Sequence, residues 1–376
     1  MTIGDPDRRY TGLLFDVQRA ASGRTQCPMP WWNASPLPDY HARLAGAMRR
    51  DGGTMRRRTF ITLIGGAAAW PLAAQAQPSS GLRRVGALVL TESDAQALGK
   101  ELREGLRELG YAEGQNLAIE FRSADGQAER LPDLAADLVR LPVDVIVAAF
   151  TPCAQAAQRA TSRIPIVMAA VGDPIAAGLV QSLARPGGNV TGLSNMGAEV
   201  AAKTVELFRD MLPSLRRVAV VANPIDPFTP SFLEQVRRAG STAGIDIAPV
   251  AMIRGPDEIE PAFAMMAREG AEVVVVQGIF YSKLIADLAI RFRLPSASVV
   301  RPYAQAGGFM SYGADVPRIF RRSAVLVHRI LQGTKPEDLP VELPTKFELV
   351  INLRTAKAIG LAVPETFLLR ADEIIE

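Results

Sequence analysis

RRVGALVL, residues 83–90, and RRVAVVAN, residues 216–223, are two versions of one pattern: an arginine pair followed by an unbroken run of small and β-branched apolar side chains. A run without polar alternation suits a strand covered on both faces, the environment of a parallel sheet packed between helices. Its recurrence implies two similar units, each opening on such a strand.

The flanking sequence carries the pattern outward. SDAQALGKELREGLRELGY (93–111) sets Leu98, Leu102, Leu106 and Leu109 on one helical face, and Gly110 supplies a C-terminal stop. NLAIEFRSA (116–124), a helix over 127–140, VDVIVAAF (143–150), a helix over CAQAAQRAT (153–161) and IPIVMAAVGDP (164–174) continue the alternation. The second unit starts with a helix over 199–211. After RRVAVVAN come a helix over 231–244, IDIAPVAM (245–252), a helix over 258–270, AEVVVVQG (271–278) and a helix over 282–292. The expected fold class is α/β, with two doubly wound parallel-sheet lobes and a cleft between them. In open parallel sheets the loops after strand C-termini carry the ligand contacts. The residues closing these strands are Thr91, Thr151, Asp173, Asn223 and Gly278.

MRRRTFITLIGGAAAWPLAAQAQ (55–77) joins an arginine cluster, a short apolar run and small residues at Ala74 and Ala76, the three parts of an export signal. Cleavage is expected between Ala76 and Gln77, giving a periplasmic protein, by either the general secretory or the twin-arginine route. The apolar run is rich in Gly and Ala and is interrupted by Pro71, which makes an uncleaved anchor the weaker reading. Residues 1–54 show no apolar periodicity that would build a domain; they read as a disordered upstream over-extension, with translation starting at Met55 or Met48. The chain has 42 basic and 39 acidic residues; 10 arginines and 5 aspartates fall in residues 1–76, which leaves 32 against 34 beyond them. That balance gives no electrostatic footprint for nucleic acid. Of two cysteines only Cys153 lies beyond the leader, so no intramolecular disulfide is expected there.

Catalytic motifs are sparse. LVLTESD follows the first strand where a dinucleotide fold would place Gly-x-Gly-x-x-Gly, and no Walker-type phosphate loop occurs. One histidine, His328, lies beyond the leader, too few groups for a Cys/His metal site. Neither metal nor cofactor is expected. Cys153, Ser311 and His328 are the parts from which an exported hydrolase would have to be assembled. Thr151 suits a helix cap, and the free N–H groups there would also suit a ligand carboxylate. Asp173 is either a turn former before Pro174 or an acceptor for a ligand ammonium.

VGDPIAAGLVQSLARPGGNVTGLS (171–194), GLRELGYAEGQNLAIEFRSADG (105–126), AGGFMSYGAD (306–315) and PVELPTKFELVINLRTAKAIGLAVPE (340–365) together resemble the ABC-transporter substrate-binding protein family that includes the bacterial tryptophan-binding proteins. The resemblance spans residues 83–375, with several long blocks in the family's order. It implies the type I periplasmic binding fold, in which three segments cross between lobes that close over a small solute. The expected lobes are 81–194 with 304–335, and 195–303 with 336–376. It also implies a solute receptor, not an enzyme, that delivers an amino acid or small aromatic or organic acid to a membrane permease driven by a cytoplasmic ATPase. A periplasmic sensor subunit on the same fold is the alternative.

The family commonly has Asn-Pro where Asn223 and Pro224 stand, which places Asn223 at the cleft. Either Phe280 or Tyr281 is expected to stack on the ligand or pack in the core. Tyr303 and Tyr312 flank a segment near another crossing. Pro152 and Cys153, in the turn after Thr151, and Phe228, within IDPFTPSF (225–232), also fall at the cleft. Cys153 and IDPFTPSF depart from the family's commoner residues, so the solute does not carry over from the tryptophan binders.

Overall fold

The computed structural model describes residues 81–376, and the structural statements below concern these. The leader at 55–76 and the segment 1–54 lie outside them.

Strands β1 (Arg83–Val89), β2 (Leu117–Ser123), β3 (Val145–Ala149), β4 (Ile166–Val171) and β5 (Val190–Ser194) form a wholly parallel sheet in the order β2-β1-β3-β4-β5. The central strands are buried along their length, as unbroken apolar runs require. Helices α1 (Glu92–Glu108), α2 (Leu131–Arg140) and α3 (Phe150–Ala160) cover this sheet. α1 starts on a capping box in which Thr91 Oγ1 accepts from Asp94 N and the Asp94 carboxylate accepts from Thr91 N. It buries Leu98, Leu102 and Leu106, the face that leucine spacing indicated.

The second lobe holds α4 (Gly197–Met211), β6 (Arg217–Ala222), α5 (Thr229–Ala243), β7 (Asp246–Met252), α6 (Ile259–Arg268), β8 (Val273–Val276), α7 (Lys283–Arg291), β9 (Ser296–Ser298), α8 (Arg301–Gln305) and β10 (Met310–Ala314). The chain then forms α9 (Val316–Leu331), β11 (Phe347–Asn352), α10 (Leu353–Ile359), α11 (Glu365–Leu368) and β12 (Glu373–Ile375). The second sheet runs β12-β11-β10-β9-β8-β6-β7, parallel except where β10 and β11 pair antiparallel. Phe208, Phe232 and Val236 pack on one of its faces, and Phe263, Met266 and Ile285 on the other.

Two lobe boundaries differ from the sequence expectation. Residues 304–314 belong to the second lobe, because β10 pairs with β9 and β11 there; the crossing follows Ala314, and α9 then packs Ile319, Phe320 and Ala324 on the first lobe. Residues 336–342 stay with the first lobe. Leu339 and Val341 are buried in its core, Glu342 N donates to Gly192 O at 2.9 Å, and Ser194 N donates to Glu342 O at 3.0 Å. The other crossing runs through Asn195 and Met196, between β5 and α4.

Gly192, in β5 beside two of these crossings, has φ +145°, and a Cβ there would lie 2.0 Å from Met168 O. Gly192→Ala therefore combines a glycine-only backbone with a clash against a neighbouring strand, and it is expected to cost about 3 kcal/mol or more in urea unfolding. An unchanged midpoint would show that β5 is not held this tightly against β4.

Candidate functional site

The C-terminal strand ends of the two sheets surround a cavity, the position at which open parallel sheets hold their ligands. The first lobe supplies Leu90 and Thr91 after β1, Asp94 in the first turn of α1, Phe150, Thr151 and Pro152 at the start of α3, and Ala170 and Gly172 around the end of β4. Asn195 and Gly197 come from the crossing into α4. The second lobe adds Asp226 and Phe228 after β6, Gln277, Gly278, Ile279 and Tyr281 after β8, and Val299 and Val300 after β9.

The wall carries backbone strain. Phe150 and Ala170 have φ of +64° and +62°, a left-handed conformation that costs a non-glycine residue about 1–3 kcal/mol and concentrates at functional sites. Phe150 turns β3 directly into α3, so Thr151 is not the N-cap: Ala149 takes that position without a side-chain bond. Thr151 instead accepts from Gly172 N through Oγ1 at 3.3 Å, tying α3 to the loop after β4.

Phe228 reaches from the second lobe into a seat lined by glycine. A Cβ on Gly172 would fall 2.4 Å from the Phe228 ring, and one on Gly197 would fall 3.0 Å from it. A buried network holds the base of that ring. Gln277 Oε1 accepts from Asn223 N at 2.8 Å and from Thr229 Oγ1 at 3.1 Å, while its Nε2 donates to Asp226 Oδ2 at 2.8 Å. Asp226 Oδ1 accepts from Phe228 N at 3.0 Å. Three further bonds join the lobes directly: Tyr281 Oη donates to Asp94 Oδ1 at 3.3 Å and shares a hydrogen bond with Ser93 Oγ at 3.2 Å, and Ser231 Oγ donates to Asp173 Oδ2 at 2.6 Å.

Asp94 and Asp226 are 7% and 9% exposed, and neither forms an ion pair among the described residues. Burial pushes Asp226 up to about 6, opposed by its bond from Phe228 N. Burial also raises Asp94, against the hydrogen bonds from Thr91 and Tyr281. The Cys153 thiol is pushed well up by burial and then by the nearby charges of Asp94 and Asp226, which makes it a packed, unreactive side chain.

Of the residues singled out in the sequence, the cavity brings together Thr91, Thr151, Pro152, Phe228, Gly278 and Tyr281. The others stand elsewhere. Cys153 is fully buried in the first-lobe core. Asp173 bonds Ser231 outside the cavity wall. Asn223 turns its Oδ1 to Ile225 N, and Phe280 packs on the core beside α6 and α7. Tyr303 is fully buried with its hydroxyl on Ser296 Oγ, and Tyr312 stacks on Phe347. The hydrolase parts are also apart. His328 Nδ1 shares a hydrogen bond with Tyr111 Oη, Cys153 lies in the first-lobe core, and Ser311 is buried in β10 of the second lobe.

Sequence reading missed Asp94, Asp226 and Gln277. Asp94 reads as the third helical position of a cap, and Asp226 as a turn residue between prolines. Gln277 carried the better signal, as an amide placed directly after four buried valines.

Two lobes of mainly parallel sheet around one cavity are the type I periplasmic binding architecture. Residues 84–375 match the family model for ABC transporter substrate binding protein. A tyrosine-binding protein from Clostridioides difficile is 26% identical over 260 residues, covering 69% of this chain and 75% of that protein. Among solved structures, a conserved domain protein from Vibrio cholerae shares 30% identity at a TM-score of 0.74, covering 78% of this chain and all of that one. A Streptococcus pneumoniae ABC domain in complex with L-Trp shares 25% identity at a TM-score of 0.72, covering 78% of this chain and all of that one. The chain belongs to the ABC transporter substrate-binding protein family.

The Asp226 shift from 3.8 to about 6 has a definite sign. The folded chain holds this proton more readily than the unfolded chain, so Asp226 makes the fold relatively less stable as pH rises from about 4 through about 6. Holding the proton to about pH 6 instead of 3.8 corresponds to about 3 kcal/mol. The stability difference between Asp226→Asn and wild type, from urea unfolding, is expected to move by roughly that amount in the variant's favour between pH 4 and pH 7. A difference independent of pH would contradict the buried, uncompensated carboxylate.

Proposed function

We propose that the protein is exported, loses its leader between Ala76 and Gln77, and serves as the periplasmic solute receptor of an ABC importer. It closes two lobes over a small aromatic amino acid and delivers it to a membrane permease coupled to a cytoplasmic ATPase. The observation that carries this reading is the cavity itself, which is built from strand ends of both lobes and walled by Phe150, Phe228 and Tyr281. Aromatic walls favour a flat apolar solute. The relatives named for tyrosine and crystallised with L-Trp support the same class of ligand. Among the described residues no helix is long and apolar enough to cross a membrane, which is consistent with a receptor that needs a separate permease. The separation of Cys153, Ser311 and His328 favours binding without catalysis.

A solute touching both lobes binds the closed arrangement better than the open one, and that difference in affinity drives closure. Thermal unfolding with L-tryptophan, L-tyrosine and the remaining amino acids tests the reading. At a hundred times its Kd the cognate solute adds about 2.7 kcal/mol, which should raise Tm by several degrees. Phe228→Ala removes a wall and the ring that bridges to Gly172, and should weaken that solute at least tenfold. No shift with any amino acid would overturn the proposal.

A further inference from the structure

We infer that a protonated amine on the solute, held between Asp94 of the first lobe and Asp226 of the second, is what this cavity selects, and that a carboxylate on the solute is dispensable. The inference rests on the reading of this cavity as the solute site and narrows its ligand class.

The charge on the wall is one-sided. Asp94 and Asp226 are its charged side chains, and among the described residues no Lys, Arg or His lines it. Both carboxylates are more than nine-tenths buried, and their protein partners are neutral: Thr91 and Tyr281 on Asp94, Gln277 and the Phe228 backbone on Asp226. A buried carboxylate without a cation is costly, and it becomes favourable when a cation with good hydrogen-bonding geometry is brought to it. An ammonium donates three hydrogen bonds and is compact enough to serve acceptors on two sides. With one carboxylate on each lobe, an amine between them pulls the lobes together, whereas an anion would meet two like charges.

A solute carboxylate finds much less. Among the described residues no guanidinium or ammonium lines the cavity, and the start of α3, whose first turn lines it, has Pro152 there, which removes one donor. Removing the carboxylate from an aromatic amino acid thus deletes a group for which the wall holds no cation and leaves both the ring and the amine engaged.

Calorimetry on the full, unaltered chain with three matched classes tests this: L-tryptophan and L-tyrosine, the monoamines tryptamine and tyramine, and the amine-free acids indole-3-propionate and 3-(4-hydroxyphenyl)propionate. The expected result is that the better-fitting monoamine binds at least as tightly as its amino acid, with the amine-free acids at least a hundredfold weaker. Asp226→Asn and Asp94→Asn, checked for folding by circular dichroism, should each weaken the monoamine tenfold or more. Amine-free acids binding as well as the amino acids would overturn the inference and leave the receptor reading intact. Amino acids binding while their monoamines do not would also overturn it and leave that reading intact. No binding by any of the six would overturn both.

Discussion

The contact between Phe228 and Gly172 is the constraint on which the cleft depends. With no side chain on Gly172, the aromatic ring of one lobe settles where a methyl group of the other would have been, 2.4 Å from it. Gly197 opens the same seat from the crossing side, and its N–H donates to Gly172 O at 3.1 Å. The ring arrives with its backbone already fixed, because Asp226 accepts from Phe228 N and Gln277 in turn holds Asp226. The ring that spans the two lobes is therefore also part of the cavity wall.

From that contact the electrostatics follow. Asp226 and Asp94 are both buried beside the cavity, and among the described residues neither has an ion-pair partner. On the proposed reading, a solute that brings a cation to this buried charge would favour closure by its differential affinity. The strained Phe150 and Ala170 backbones and the Tyr281–Asp94 bond lie on the same wall. Each lobe is a layered unit with its own buried core, so the proposed closure would fall to the segments that cross between them.

Much of the architecture was legible because it rests on local periodicity. Unbroken valine-rich runs gave the strands, leucine spacing gave α1, and the paired RRV openings gave two lobes. β10 was not legible, since GGFMSYGA offers three glycines and a short run, and only its neighbours β9 and β11 make it a strand. That is why 304–314 moved between lobes. Half of the expected site residues line the cavity and half do not, for physical reasons that sequence position alone does not carry. Tyr303 found a partner in Ser296 and sank into the core, while Cys153 turned inward on α3. Asp94 and Asp226 were hidden by local roles they also perform, one as a cap and one as a turn.

The central claim is that a solute draws two rigid lobes together over one shared cavity. The distance between spin labels at Asp133→Cys in the first lobe and Asp257→Cys in the second measures this directly, in the full chain carrying Cys27→Ser and with buried Cys153 left unlabelled. The account predicts a longer, broader distribution without solute and a single shorter distance when the cognate aromatic amine or amino acid is added. The same distribution in both conditions would contradict it.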